Sequence, residues 1–226
     1  IDTGMGRIGV YQDRAIDFIL QVNSLPYIDI EGIYTHFPVA DIDEEFTRKE
    51  IKIFRKILHR IERMGIQIVY KHAANSAALI KFPSSHFNMV RPGIALYGME
   101  PFPGARKQLG LKPVLSLKTN VIFWKWINKG MTIGYGRTWK ARRKSLIATL
   151  PIGYGDGYSR LLSNKAEVII KGKRFPIVGK ICMDMCMVDV TPIKQIKTGE
   201  EVVLIGKQGQ EQIFVEEIAQ KMGTIN

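Results

Sequence analysis

The side chains best suited to chemistry in this chain sit at the ends of apolar runs or between glycines. His36 ends Tyr34-Thr35-His36-Phe37, and His72 ends the next strand-like run in the same manner. Parallel α/β folds place functional groups at strand C-terminal ends, although a lone His there also serves as a hydrogen-bonded packing residue. Asn75-Ser76 follows His72 and opens a helical stretch. An Asn or Ser at that place caps a helix, and the same hydroxyl and amides suit a phosphate. Arg91-Pro92-Gly93-Ile94 sets an arginine in a strand-like stretch with apolar neighbours. Such an arginine requires a paired partner or a ligand, and Gly93 and Ile94 offer amides that an anion can approach closely. Asp2-Thr3-Gly4-Met5-Gly6-Arg7 permits a sharp turn with an arginine in reach of an anion. On its own it reads more simply as a glycine-rich surface turn. Tyr135 lies in Gly134-Tyr135-Gly136, and Tyr154 and Tyr158 lie in Gly153-Tyr154-Gly155-Asp156-Gly157-Tyr158. A tyrosine between glycines is either an ordinary aromatic at a β-turn or a phenol presented on a thin loop. The sulfur-rich run 181–187 assigns nothing by itself, because sulfur side chains commonly fill gaps in cores.

The elements that must position these groups follow two grammars. Residues 13–22 place Ile16, Ile19 and Leu20 on one helical face, 27–37 read as a strand, and 43–64 read as a long amphipathic helix stopped by Gly65. A strand at 66–70, a helix from 75 to 80 and a strand within 88–97 follow. Strand–helix–strand repeats of this length predict parallel strands with crossover helices. Pro and Gly cluster at 101–113, and strand-like stretches dominate beyond, at 114–124, 145–152, 166–170, 175–190 and 201–205, with a helix at 215–222. The expected domains are 1–110, parallel α/β, and 111–226, mostly antiparallel β. The first holds about four strand signals against the eight of a closed barrel, so it is either a small open sheet or half a barrel.

Bulk properties exclude several classes. With 226 residues and 46% hydrophobic residues the chain can bury real cores. No apolar run approaches membrane-spanning length, and no signal-peptide pattern is present. The first residue is Ile1, leading directly into a glycine-rich motif, which suggests that the true N-terminus lies elsewhere. The net charge of +12 is spread out, with no long basic run carrying interleaved aromatics, so nucleic-acid binding is not expected. Cys182 and Cys186, four apart in what reads as one strand, are poorly placed for a bridge. No other cysteine exists for a thiolate zinc site, so no metal is expected; few cysteines fit a reducing cytoplasm.

Taken together and in order, the segments resemble the alanine racemase family. The matching stretches are 2–9 (DTGMGRIG), 32–41 (GIYTHFPVAD), 72–77 (HAANSA), 88–98 (NMVRPGIALYG), 133–136 (IGYG), 151–158 (PIGYGDGY) and 176–187 (PIVGKICMDMCM), covering essentially the whole chain. The resemblance implies an eight-stranded β/α (TIM-like) barrel followed by a C-terminal β domain, in a homodimer whose active sites are shared. It makes the first half here the last part of the barrel. The cofactor lysine and the extreme C-terminal segment then lie outside these residues, and this chain alone is expected to be inactive.

The implied activity is interconversion of L- and D-alanine, supplying D-alanine for cell-wall peptidoglycan, on pyridoxal 5'-phosphate bound as a Schiff base. The cofactor ring withdraws electrons and makes the substrate Cα proton acidic. A lysine serves one face of the substrate and a tyrosine from the partner subunit serves the other; Tyr135 matches that tyrosine. A free phenol has a pKa of about 10 and is a poor base at neutral pH, whereas cationic partners favour its phenolate. His36 and Arg91 match those partners and also contact the cofactor. Arg91 matches the group facing the pyridine nitrogen. It does not readily give up its proton, so the nitrogen stays unprotonated and side reactions such as transamination are suppressed. Ser76, Gly93 and Ile94 match the phosphate site, with Asn75 beside it. Arg7 matches the residue bonded to the cofactor phenolic oxygen, near the substrate carboxylate, and the Met183 amide matches a carboxylate contact. Tyr154, Asp41, Arg160 and Lys180 match the substrate channel. Lys180 departs from the arginine frequent there, keeping the charge but losing the planar fork. Three alternatives stand beside this reading: a serine or broader racemase, a non-catalytic fragment, and a basic nucleic-acid-binding protein.

Overall fold

Apolar residues recurring at helical spacing require one buried stripe along the long helix of the first half. That stripe is buried in the computed structural model, which describes residues 1–193 and 195–226. The chain divides into two compact units, Ile1–Lys112 and Pro113–Asn226. Among the described residues no helix is long and apolar enough to cross a membrane.

The first unit runs α1 (Ala15–Asn23), β1 (Gly32–Tyr34), α2 (Glu44–Arg63), β2 (Tyr70–His72), α3 (Ser76–Lys81) and α4 (Ala105–Leu109). Its strands pair in parallel with Gly32 opposite Tyr70 and Tyr34 opposite His72, joined by the crossover helix α2. Single parallel bridges, Asp2 to Tyr11 and His72 to Met89, extend the pattern. Helix α2 starts where Asp43 accepts the Phe46 amide at 2.9 Å. Glu44 and Glu45 in its first turn and Arg60 and Arg63 in its last complement the helix dipole. Gly65, at φ 78°, ends it. The buried face carries Ile51, Phe54, Ile57, Leu58 and Ile61, but also Thr47 and Glu50. Each fully buried large apolar side chain contributes about 1.5–3 kcal/mol.

Three strand assignments change here. The strand expected at 27–37 is only Gly32–Tyr34, and the one expected at 66–70 begins at Tyr70. Within 88–97 there is no strand: Met89 makes one bridge, and Ile94–Tyr97 forms a 3-10 turn. Pro92 has no N–H to give a ladder, and Gly98, at φ 71°, closes that turn.

The second unit contains β3 (Leu117–Asn120), β4 (Phe123–Ile127), β5 (Thr132–Ile133), β6 (Trp139–Lys140), β7 (Ser145–Leu150), β8 (Glu167–Ile170), β9 (Lys173–Pro176), β10 (Cys186–Asp189), β11 (Glu201–Gln208), β12 (Glu211–Ile213) and α5 (Val215–Met222). All its pairings are antiparallel: β10-β7-β4, β12-β11-β8-β9 with β3 also on β11, and the short pair β5-β6. Val168, Ile169, Val188, Val202, Val203 and Leu204 are fully buried in its main core. Lys171 and Gly172, both at positive φ, make the two-residue turn between β8 and β9.

Two long strand expectations split. The stretch 114–124 contains β3 and the start of β4, which pair with different sheets. The stretch 175–190 is broken between β9 and β10. There Gly179 takes φ 79°, and the Cys182 amide closes a turn onto the Met185 carbonyl at 2.9 Å. Cys182 and Cys186 therefore do not share a strand; both are free, with Cys186 buried.

Candidate active site

Arg91 is the hub of the first unit. Its Nη2 donates to the Thr35 carbonyl at 2.8 Å, to the Ala73 carbonyl at 3.3 Å and to His36 Nδ1 at 3.3 Å, and its Nη1 donates to His72 Nδ1. The backbone holds it too, since the Arg91 amide donates to the Ala74 carbonyl at 2.9 Å. Arg91 Nε makes no hydrogen bond among the described residues, so that donor is unspent. The positions follow from the fold: Thr35 and His36 follow the end of β1, His72 ends β2, and Ala73 comes next. Tyr34 stacks on His72 with centroids 5.2 Å apart, and the Arg91 guanidinium carbon lies 5.2 Å from the Tyr34 ring centre.

The electrostatics assign the protons. Burial, then the charges of Arg91 and Arg7, hold His36 below the usual imidazole range; burial, then Arg91, does the same to His72. Burial lowers the Arg91 guanidinium as well, yet an arginine keeps its proton. Each histidine accepts at Nδ1 and therefore carries its proton at Nε2 when neutral. The cluster presents a fixed cation with two neutral imidazoles beside it.

Arg7 is delivered by a turn built on Asp2. The Asp2 carboxylate accepts the Gly4 amide at 3.0 Å and the Gly6 amide at 3.0 and 3.1 Å, which holds it below the usual carboxylate range. Gly6, at φ 67°, lets the chain reverse. Arg7 is exposed, and with Asp2, Met5, Tyr34 and His36 it lines a cavity of about 90 Å³.

Ser76 organises a second set of donors. Its Oγ accepts the Gly93 amide at 2.8 Å and the Ala95 amide at 3.3 Å, leaving the hydroxyl proton free to donate. The Gly93 amide is thus already engaged. The Ile94 amide, between them, has no partner among the described residues. Asn75 caps α3 by accepting the Ala78 amide at 3.0 Å and reaches the Phe37 carbonyl at 3.2 Å.

The second unit presents its candidates on turns. Tyr135 is 68% exposed, between Gly134 at φ 66° and Gly136 at φ 70°. A Cβ on Gly134 would meet Met187 at 3.1 Å and the Lys180 amide at 3.4 Å, so the tyrosine turn lies directly on the segment of Lys180. Tyr135 and Cys182 share the walls of a cavity of about 550 Å³. The Tyr154 turn docks on the Met183 loop: the Tyr154 amide donates to the Cys182 carbonyl at 3.0 Å, and the Gly155 amide to the Met183 carbonyl at 2.8 Å. A Cβ on Gly153 would fall 2.2 Å from the Cys182 carbonyl oxygen, so only glycine fits. The Met183 amide has no partner among the described residues.

The structure thus brings Arg7, His36, Asn75, Ser76, Arg91, Gly93 and Ile94 into one unit. Tyr135, Tyr154, Arg160, Lys180 and Met183 belong to the other. Asp41, grouped with Tyr154, Arg160 and Lys180 by the sequence, lies in the first unit, where its carbonyl accepts Lys81 Nζ at 2.7 Å. Sequence reasoning noticed His72 but gave it no role; the structure makes it a direct partner of Arg91. A cavity of about 930 Å³ lies elsewhere in the second unit, among Lys129, Lys140, Arg142 and Arg143. Among the described residues no group of three His, Cys, Asp or Glu side chains is placed to hold a metal ion.

Residues 1–101 match the family described as alanine racemase, N-terminal domain, and residues 114–226 match alanine racemase, C-terminal domain. The chain is 47% identical over 227 residues to an alanine racemase of Halothermothrix orenii, covering 100% of this chain and 60% of that protein. It is 48% identical over 230 residues to one of Clostridium novyi, covering 100% and 59%. A solved alanine racemase of Bacillus anthracis with bound L-Ala-P superposes with a TM-score of 0.89 at 39% identity, covering 100% of this chain and 58% of that one. The alanine racemase of Clostridium difficile does so at 0.90 and 40%, with the same coverage. The chain spans about 60% of the length of the curated relatives it matches. Its first unit is part of a β/α barrel and its second a β domain, and the chain belongs to the alanine racemase family.

Proposed function

We propose that this chain forms part of an alanine racemase that interconverts L- and D-alanine with pyridoxal 5'-phosphate, residues 1–110 binding the cofactor and 111–226 presenting a proton-transfer tyrosine. The observation that carries this reading is the clamped Arg91. Four acceptors fix its guanidinium while Nε stays free, which suits an unprotonated ring nitrogen that needs one donor. The donor set beside Ser76 fits a phosphate: a hydroxyl proton and the Ile94 amide are both unspent. Gly93 supports that site through Ser76, and Asn75 holds the start of α3. Arg7 is exposed and within reach of a phenolic oxygen or a substrate carboxylate, and the free Met183 amide offers a second carboxylate contact. When bound, the cofactor acts as an electron sink that makes the substrate Cα proton acidic.

The residues of this chain then position and move protons. Tyr135 takes a proton from, or returns one to, one face of the substrate through its phenolic oxygen, acting in a homodimer at the site of the other copy. In this reading Arg91 contributes the fixed positive charge and the neutral His36 a hydrogen-bond donor at Nε2. The arginine also keeps its own proton, so the ring nitrogen gains none and the electron sink stays weak enough to suppress transamination. Tyr154, Asp41, Arg160 and Lys180 line the substrate channel. The D-alanine formed supplies cell-wall peptidoglycan, and the two free thiols suit a reducing cytoplasm.

The test is racemisation by the full-length protein loaded with pyridoxal phosphate, assayed on alanine and serine. We expect alanine to be preferred and the 226 residues alone to be inactive, because none of them is assigned as the covalent anchor. Failure of the full-length protein to racemise, or a preference for serine, would overturn the reading.

A further inference from the structure

Glu50 places a carboxyl where the pattern of α2 calls for an apolar residue. It lies on the buried stripe with Thr47, Ile51 and Phe54 and is 1% exposed. Its Oε1 accepts the Thr3 hydroxyl at 3.0 Å, and Thr3 Oγ1 lies 2.7 Å from Thr35 Oγ1. The single Thr3 proton is spent on Glu50, so Thr35 donates to Thr3. Glu50 Oε2 is buried with no hydrogen-bond partner among the described residues. A half-satisfied buried carboxyl is costly, and a leucine would fill the position without that cost. Burial pushes the carboxyl up to about 7, against the Thr3 hydrogen bond and with the Asp2 charge adding to the rise.

What this group holds is the site. A Cβ on Gly4 would stand 2.8 Å from the Phe46 ring and 2.9 Å from Glu50 Oε1, so the turn that carries Arg7 rests directly on α2. Thr35 precedes His36; its carbonyl accepts Arg91 at 2.8 Å and its amide donates to the His72 carbonyl at 3.2 Å. We propose that Glu50 is a positioning residue, tying the Thr3–Thr35 hydroxyl pair to α2 and so setting the Arg7 turn against the strand end that carries His36 and anchors Arg91. The inference rests on the reading of Arg7, His36 and Arg91 as cofactor-contacting residues.

The test compares Glu50→Gln and Glu50→Leu in the full-length protein. Glutamine presents the same acceptor without a charge, whereas leucine fills the volume and presents none. In Glu50→Leu we expect an unchanged or raised melting temperature, with pyridoxal phosphate Kd raised and kcat lowered, each by about tenfold. Amide exchange at Gly4 and Gly6 should quicken by about tenfold in the same variant. Glu50→Gln should stay within about twofold of wild type in each measure. Unchanged exchange and cofactor affinity in Glu50→Leu would overturn the proposal. So would equal impairment of both variants with a lowered melting temperature, which marks a packing role alone. If the wild type neither binds cofactor nor racemises, the reading of the site fails, while amide exchange still decides whether Glu50 holds the turn.

Discussion

The two units hold their chemically useful groups in opposite ways. In the first, Arg91, His36, His72, Thr35, Thr3 and Glu50 belong to one hydrogen-bonded network that is also part of the scaffold. In the second, Tyr135 and Tyr154 stand on glycine turns outside a core that closes without them. The difference follows from the strands. Among the described residues the first unit has one short strand pair, Gly32–Tyr34 with Tyr70–His72, and two single bridges, so side chains and loop carbonyls must take over the work of a longer ladder. The second has an eight-residue hub strand, β11, with β3, β8 and β12 paired to it. Function and stability should therefore be coupled in the first unit and separable in the second.

The largest effect tests the separable side. Tyr135→Phe removes one hydroxyl from an exposed ring, so the melting temperature of the full-length protein should not move. Racemisation should fall by about 10²–10⁴-fold, the range for loss of a positioned acid–base group. A parallel loss of stability would show that the turn is part of the core and would remove the contrast.

Arg91→Ala tests the coupled side. It strips the Thr35 and Ala73 carbonyls and two imidazoles of their donor. We expect kcat/KM to fall by about 10²–10³-fold and, unlike the tyrosine variant, the melting temperature to fall with it. Arg91→Lys should recover only part of either loss, because one ammonium cannot replace a planar fork. An Arg91→Ala protein of unchanged stability would mean that the network is decoration on a self-sufficient scaffold.

Much of this contrast could be read from the residues, and the exceptions have physical causes. The stripe of Ile51, Phe54, Ile57, Leu58 and Ile61, with Asp43 before it and Gly65 after it, specified α2 to within a residue, because local spacing and caps determine a helix. The 215–222 helix matched Val215–Met222 for the same reason. Strand ends were less legible because partners decide them: 175–190 looked continuous, but Gly179 and the turn at Cys182 divide it. In the site, the motif residues of the first unit fell together as a group. The roles of His72 and Glu50 were missed, since their partners are remote in sequence. A signal for Glu50 was present, however. It sits one residue before Ile51 and four before Phe54, on a face where a charge has no place without a partner.

Glu50 makes the first unit sensitive to alkali. Its carboxyl titrates at about 7 in the fold against an ordinary 4.5, with Thr3 and the charged Asp2 facing it. The folded state holds the proton more tightly, so stability falls as pH rises from 4.5 and has lost its full share above about 7. At about 1.4 kcal/mol per unit that share is about 3 kcal/mol. Glu50→Gln should therefore be the more stable protein at pH 8, with the advantage fading towards pH 4.5. Denaturant unfolding across that range measures it, and an advantage independent of pH would contradict a buried titrating carboxyl.

The second unit should titrate the other way. Arg174 on β9 donates to Glu217 at 2.9 Å through both Nη atoms, to Glu211 at 3.1 Å and to Glu167 at 3.2 Å, and it also reaches the Gln212 carbonyl. These bonds gather strands β8, β9 and β12 and helix α5 around one cation. Hydrogen bonding to Arg174, the largest cause, holds the Glu217 carboxyl below its usual range. Its contribution is therefore present above about 4.5 and lost as pH falls through the lowered folded value. Arg174→Ala leaves three carboxylates converging on an empty centre and should cost about 2 kcal/mol at neutral pH. That difference should shrink on acidification, while the Glu50→Gln difference grows on alkalinisation. Opposite slopes in one protein would locate the two sensitivities in the two units. An Arg174→Ala penalty that persists undiminished at low pH would instead assign the loss to packing of the arginine stem.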